Sequence, residues 1–296
     1  MMPQFNTIYQ FYRDEVARLA TITIENDGSP SLSGGDQYGP ENLVDDNPAK
    51  LAKIEATSGA WLFSYPAKQR IDIAGLIHHS FDPTDGSAVG SPVGSPEPTS
   101  VRLEGNSTTN FSNPTFSAPF TIPEWFGEGT RRWPVNPYLL LTDNQDYDAD
   151  GFRYWRLVIE NNSQNIQLGQ VWFGSTIRRF DPDVRWGLKV TPRKLQIENR
   201  TSYDVSTIYP LGTTLWGYEA DLMATDALAE ALEQHWYDVE GRALPFLLVP
   251  SGPGPDDRCY LVRYTMTDRQ AQWNFDNTQD MHLAFQEVGR GLRPGV

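Results

Sequence analysis

The chain has 296 residues, two ordinary domains at about 150 residues each, and enough length to bury sizeable cores without staples. It carries 24 Lys and Arg against 38 Asp and Glu, a formal net charge of −14. That balance opposes sequence-independent binding to nucleic acid or to anionic membranes, because such binding needs cations to neutralise phosphates.

A single cysteine, Cys259, excludes an intrachain disulfide framework and a multi-cysteine zinc site. No run approaches the roughly 18 apolar residues of a membrane-spanning helix. Residues 1–13 lack the basic-then-apolar layout of a secretory signal, so the chain reads as soluble, acidic and not exported. Aromatic residues make up 12%, nine of them Trp, with 24 Gly and 22 Pro. Aromatic and β-branched residues fit half-buried pleated surfaces, and Gly and Pro punctuate short strands, so the fold class predicted is all-β.

In chain order, residues 20–26 alternate apolar and polar and run into Asp27-Gly28, a strand ending in a turn. Further strands are predicted over 70–77, 100–103, 154–159, 167–173, 187–191, 194–199, 213–218, 246–249, 260–265 and 280–286. Turn clusters such as Asn161-Asn162-Ser163 and residues 250–254 separate them. Repeated short strands predict two β-sandwich or jelly-roll domains rather than a parallel sheet, and the sequence holds neither a GxGxxG nor a Walker motif. One helix is predicted over 226–239, where Leu228, Leu232 and Trp236 recur every four residues. Thr225 or Asp226 supplies its N-cap oxygen, and Gly241 stands where a left-handed C-terminal cap is expected. Residues 86–100 hold Val-Gly-Ser-Pro twice and read as a surface loop. The domain boundary is placed near 174–181, which gives domains 1–175 and 176–296, each expected to fold separately.

Four short segments occur in order over the first domain: Asn42-Leu43-Val44-Asp45-Asp46-Asn47-Pro48, Gln69-Arg70-Ile71-Asp72-Ile73, Arg153-Tyr154-Trp155-Arg156-Leu157 and Gln170-Val171-Trp172-Phe173-Gly174. Together they resemble the turn and strands of a discoidin-type jelly roll, the fold of coagulation-factor C domains and many carbohydrate-binding modules. The cysteine pair that staples many such domains is absent, and their usual early Trp is missing unless Trp61 replaces it. Arg153 and Arg156 are read as alternating with Tyr154 and Leu157 on opposite strand faces. A second resemblance lies in Ile71-Asp72-Ile73-Ala74-Gly75-Leu76-Ile77-His78-His79-Ser80, which is similar to a strand-loop of tail proteins of tailed phages and gene-transfer agents. The second domain, with its one helix followed by Gly241-Arg242-Ala243-Leu244-Pro245-Phe246, resembles the distal-tail type.

Few residues point to catalysis. Asp146, Asp148 and Asp150 followed by Gly151 copy the start of an EF-hand loop, but Leu157 stands where the bidentate Glu belongs. The segment reads as a polar turn, with a looser calcium site as the alternative. His78, His79, His235 and His282 are too dispersed for metal spacing; His78 and His79 are read as capping their strand-loop. There is no G-x-S-x-G elbow, and Cys259 reads as a small core residue. The expectation is that the protein is not an enzyme and takes no cofactor or metal. The aromatic and arginine residues Trp125, Phe126, Arg131, Arg132 and Trp133 cover their own core, anchor a protein interface or stack on a sugar. Trp216 and Tyr218 join them as interface candidates if their strand lies at a sheet edge.

The resemblances imply a structural virion component of a phage-like tail (distal tail, tail tip or baseplate) assembled in the host cytoplasm. They imply a homo-oligomeric ring, trimeric or hexameric, with other tail or baseplate proteins as partners, while the acidic balance and the lack of a long apolar run lead to the expectation of neither nucleic acid nor membrane among them. The alternative is a carbohydrate-binding module protein that recognises host surface glycans.

Overall fold

Alternating and continuous apolar runs become sheet over most of the chain, which is mostly β in antiparallel sheets with one α-helix. The computed structural model describes residues 9–12, 16–25, 38–45, 50–82, 99–123, 126–128, 131–133, 136–141, 150–174, 177–180, 183–184, 189–200, 206–240, 242–249, 259–265, 271–273 and 278–288. The repeat-bearing loop at 86–100 lies outside these apart from residues 99 and 100. The strands are β1 (Tyr9–Tyr12), β2 (Thr21–Glu25), β3 (Ala52–Ile54), β4 (Gly59–Gln69), β5 (Ile73–His79), β6 (Ser100–Asn106), β7 (Phe116–Pro119), β8 (Phe126–Glu128), β9 (Arg131–Trp133) and β10 (Tyr138–Leu140). They continue as β11 (Phe152–Glu160), β12 (Ile166–Gly174), β13 (Ile177–Phe180), β14 (Asp183–Val184), β15 (Lys189–Arg200) and β16 (Ser206–Thr225). The helix α1 (Asp226–Asp238) precedes β17 (Phe246–Val249), β18 (Tyr260–Tyr264), β19 (Ala271–Trp273) and β20 (Thr278–Glu287). The chain divides into two units: the larger is built mainly from Gln10–Arg179 with Leu247–Tyr260, the smaller from Phe180–Phe246 with Leu261–Arg290.

The larger unit is a sandwich. A five-stranded sheet, β2-β4-β11-β6-β7, faces a four-stranded sheet, β10-β5-β12-β3. The core between them joins Trp61, Phe63, Leu103, Trp155 and Leu157 from the first sheet to Leu76, Leu168, Val171 and Phe173 from the second. Phe63 meets Phe173 across the gap edge-to-face at 4.9 Å, a geometry that aligns ring edge with ring face. Asn42 of the early turn is buried and donates to the Leu51 carbonyl at 3.0 Å, so that turn is fixed to the strand after it.

The pairing of β11 with β4 shifts register between Phe152 and Tyr154, which forces a bulge into β4. A bulge leaves backbone carbonyls without ladder partners, and buried carbonyls need donors. Two side chains from β11 supply them: Arg153 Nε donates to the Tyr65 carbonyl at 3.0 Å and Trp155 Nε1 to the Gln69 carbonyl at 3.1 Å. Gly151, at φ +72°, passes so close that a Cβ there would lie 2.1 Å from the Gln69 oxygen. Only glycine fits. The alternation on β11 therefore corrects the sequence reading. Trp155 and Leu157 point into the core, Tyr154 and Arg156 share the outer face with their register partners, and Arg153 serves the bulge.

The second face of the four-stranded sheet is buried as well. A Cβ on Gly75 would meet Leu247 Cδ2 at 3.0 Å and Cys259 Sγ at 3.5 Å. Cys259 donates its N–H to the Asn136 carbonyl at 2.9 Å, and β17 pairs with β1 through Phe11 and Leu248. Residues 247–249 and 259–260 thus form a third layer on this unit.

In the smaller unit β16 is the long central strand, paired with β15 on one side and, from Gly217 onward, with β20 on the other. Helix α1 buries Ala229, Leu232, His235 and Val239. His235 Nδ1 lies 2.9 Å from the Tyr264 hydroxyl, and its ring stands edge-on to Phe246 at 4.8 Å. At the end of the helix Glu240 takes the left-handed region, at φ +51°. Gly241 itself lies outside the described residues.

Candidate functional site

Two ribbons of paired strands carry most of the interface candidates. In the first, β8 and β9 pair only with each other among the described residues. Phe126 is the register partner of Trp133, Gly127 of Arg132 and Glu128 of Arg131, so the two aromatic positions lie opposite one another on one side of the ribbon. Trp125 lies outside the described residues.

The second ribbon is larger. β15 and β16 stay paired from Lys189 with Glu219 to Arg200 with Ser206, whereas β20 accompanies β16 only from Gly217 to Thr225. From Pro192 and Trp216 outward the ribbon therefore has no third strand among the described residues. Its length is about 25 Å at roughly 3.3 Å per residue. β15 holds Lys189, Arg193, Lys194 and Arg200 against one carboxylate, Glu198, in a chain of net charge −14. Trp216 sits in this ribbon opposite Pro192. Tyr218 does not belong to the surface. It pairs with Val190 on one side and Phe285 on the other, is 2% exposed, and is a core residue of a central strand rather than an edge anchor.

The outward face of the five-stranded sheet carries an ion network that sequence reading missed. The register aligns Leu62, Arg156, Glu104 and Ser117 in one row and Ala60, Val158, Arg102 and Pro119 in the next. Glu104, only 3% exposed, accepts from Arg102 Nε at 2.7 Å and from Arg156 Nη2 at 2.7 Å. Arg102 also grips Glu160 with both terminal nitrogens, at 2.5 and 3.0 Å. The hydrogen bond from Arg102, ahead of their charge attraction, holds the Glu160 carboxyl below its usual range. Arg156 lies over the Phe111 ring at 4.5 Å. Each guanidinium is met by carboxylates, so this is a closed network that fixes a sheet face rather than an open anion site. Its signal was present as Arg102 and Glu104 two apart on β6 and Arg156 and Glu160 four apart on β11, but spacing alone does not say which strands are neighbours.

At one end of the sandwich the loops 78–82 and 161–165 interlock. Asp82 accepts from Ser163 N–H at 2.6 Å and Thr99 Oγ1 at 3.4 Å, and its own N–H donates to Asn162 Oδ1 at 3.1 Å. Asn162 Nδ2 donates to the carbonyls of Ser80 and Gln164. His79 is buried there, as a strand-loop cap would be.

The remaining candidates are dispersed. Asp150 is exposed, 4.0 Å from Lys68 Nζ, while Asp146 and Asp148 lie outside the described residues. Among the described residues no group of three or more His, Cys, Asp or Glu could hold a metal ion, and no helix is long and apolar enough to cross a membrane. His282 pairs with Asp221 across β20 and β16 at 2.7 Å, far from the other histidines in sequence. Burial pushes the Cys259 thiol well up, away from the thiolate that nucleophilic chemistry requires.

No family model matches the sequence, and no curated protein matches it. Among solved structures the chain is similar to a Ruminococcus gnavus GH29 fucosidase in complex with fucose, at 10% identity and a TM-score of 0.32. The likeness covers 54% of this chain and 26% of the fucosidase chain. It is also similar to a chain from the virion of a native gene transfer agent particle, at 12% identity and a TM-score of 0.24, over 36% of this chain and 81% of that one. Similarities this slight do not bear on function.

Proposed function

We propose that the chain is a structural component of a phage-like tail: a ring-forming protein of the distal tail, tail tip or baseplate region that carries a discoidin-like sandwich and has no catalytic role. The β15–β16 ribbon supports this reading most directly. A lone two-stranded ribbon is marginally stable in water, and its open edges are templates for strand pairing. The ribbon is basic while the chain as a whole is strongly acidic, so a neighbouring copy offers charge of the opposite sign. Bare surface charge at −14 opposes self-association. Backbone pairing along the ribbon, reinforced by its cations and by apolar contact, overcomes that opposition.

Native mass spectrometry of the purified chain, with stoichiometry in isolated particles, tests the proposal. The expected outcome is fixed multiples of three or six. A variant with residues 195–213 replaced by a short turn is expected to keep its β-rich circular dichroism and to stay monomeric. A wild-type chain that stays monomeric at high concentration and binds host polysaccharide would overturn the assembly reading in favour of a glycan-binding module.

A further inference from the structure

We infer that His79 is a proton-sensitive latch on the interlocked loops 78–82 and 161–165. The ring is buried, 3% exposed, and stacks on Phe81 with centroids 4.9 Å apart. Its Nδ1 accepts the backbone N–H of Phe81 at 3.1 Å. A ring nitrogen that accepts carries no proton, so the neutral ring holds its proton on Nε2. Protonation would put an N–H on Nδ1 pointing at the N–H of Phe81, donor against donor inside a buried turn.

The Phe81 amide cannot shift alone. The next residue is Asp82, whose N–H and carboxylate tie the turn to Asn162, Ser163 and Thr99. One residue before it, Ser80 Oγ accepts from Gln167 N–H at 2.9 Å and donates to the Asn165 carbonyl at 3.1 Å, while the Ser80 carbonyl accepts from Asn162. Displacing Phe81 therefore strains every bond between the two loops. Among the described residues of these elements the charged groups are few. β12 and residues 161–165 carry none, Lys53 beside β12 is paired with Glu55 at 3.2 Å, and His78 precedes the turn at φ +55°. Asp82 is the one carboxylate of the loop, and its charge alone would favour a protonated ring. The donor–donor opposition at 3.1 Å outweighs it, because Asp82 already serves Ser163 and Thr99.

Below the ordinary histidine value of about 6.5 the unfolded chain takes up a proton at this position that the closed loop refuses. Stability then falls as pH falls, by up to tenfold in the folding equilibrium per pH unit. Nitrogen-15 spectra of the imidazoles and amide exchange of the full wild-type chain, from pH 8 to pH 5, test this. The expected result is that His79 keeps its Nε2–H form down to pH 5, while Phe81 and Ser163 exchange at least tenfold faster at pH 5 after correction for intrinsic rates. A His79 ring that takes up its second proton at the ordinary histidine value, with the Phe81 amide still protected, would overturn the inference. His79→Asn offers an acceptor two residues before the same N–H but no titration, and it is expected to flatten the stability profile between pH 7 and 5. An unchanged profile in that variant would equally overturn it.

Discussion

Arg153 reaches across 88 residues of sequence to donate its Nε proton to the carbonyl of Tyr65, in the stretch where β4 slips against β11. Two residues further on, Trp155 does the same for Gln69. The second domain-forming strand of the sandwich is thus held in a bulged path by side chains of its neighbour, and the bulge is what Gly151 packs under.

Removing the Arg153 donor takes a charged-group hydrogen bond from the Tyr65 carbonyl, a cost of about 1–2 kcal/mol. Arg153→Met is expected to lower the midpoint of urea unfolding by that amount with the slope unchanged. Arg153→Lys keeps the charge but not the directed Nε, and is expected to fall close to the Met variant.

Glu104 lies between two guanidiniums on a sheet face and is almost fully covered. Glu104→Gln removes the charge both arginines share and is expected to cost about 2–4 kcal/mol, since breaking a buried ion pair leaves uncompensated charge. Glu160 at the rim gives the pH dependence. Its folded carboxyl is held below the usual range by Arg102, so its contribution is present above about pH 4.3 and is lost as pH falls through the lowered value. The side chain is nearly half exposed, so that contribution is small. Arg102→Met is expected to make the acid limb of a stability profile shallower below pH 4.5.

How much of this was legible beforehand follows from exposure. β2 reads plainly as Thr-Ile-Thr-Ile-Glu because it is an edge strand with one wet face. β4 hides because it lies between β2 and β11 and is buried on both faces from Ala60 to Phe63, which erases the alternation. Residues 187–191 and 194–199 read as two strands because Pro192 interrupts them, yet from Lys189 onward they form the single strand β15, where proline is tolerated beside an open edge, while 187 and 188 lie outside the described residues. Helix α1 was visible from its spacing by four, whereas nothing in that spacing marks Glu240 for the positive φ it takes just after the helix. Tyr218 shows the limit for sites. Alternation marks a face, and only the pairing with β20 shows that the face is covered.

Gln170 on β12 is 1% exposed, and neither its amide nitrogen nor its amide oxygen has a hydrogen-bond partner in the structure. Burying such groups unpaired costs about 1–3 kcal/mol, whereas an apolar side chain of like length carries no such penalty. Gln170→Met is expected to leave the protein as stable or to raise its melting temperature by a few degrees. A fall of several degrees would show that the amide has a role the packing does not reveal.

The last prediction concerns the third layer on the four-stranded sheet. A Cβ on Gly75 would press on Leu247 Cδ2 at 3.0 Å and touch Cys259 Sγ at 3.5 Å, so the two further methyls of a valine must push on the same neighbours. Cys259 is anchored by its own N–H to Asn136, and its Sγ lies 3.5 Å from the Pro137 carbonyl. Gly75→Val is therefore expected to wedge the layer away from β5 at a cost of about 1–3 kcal/mol. The buried thiol makes the displacement measurable, because a thiol reagent reaches Cys259 only when the layer opens. Labelling is expected to be slow in the wild-type chain and at least tenfold faster in Gly75→Val, with far-ultraviolet circular dichroism unchanged. The same geometry predicts the behaviour of fragments. A chain cut at residue 175 keeps both faces of the sandwich but loses Leu247 and Cys259, which exposes the buried face carrying Ile73, Ile77 and Trp172. Such a fragment is expected to bind a hydrophobic dye and to melt well below the full chain. Adding back a peptide spanning 246–260 is expected to reduce the dye signal, and a fragment that melts like the full chain without the peptide would show that the layer contributes little to the sandwich.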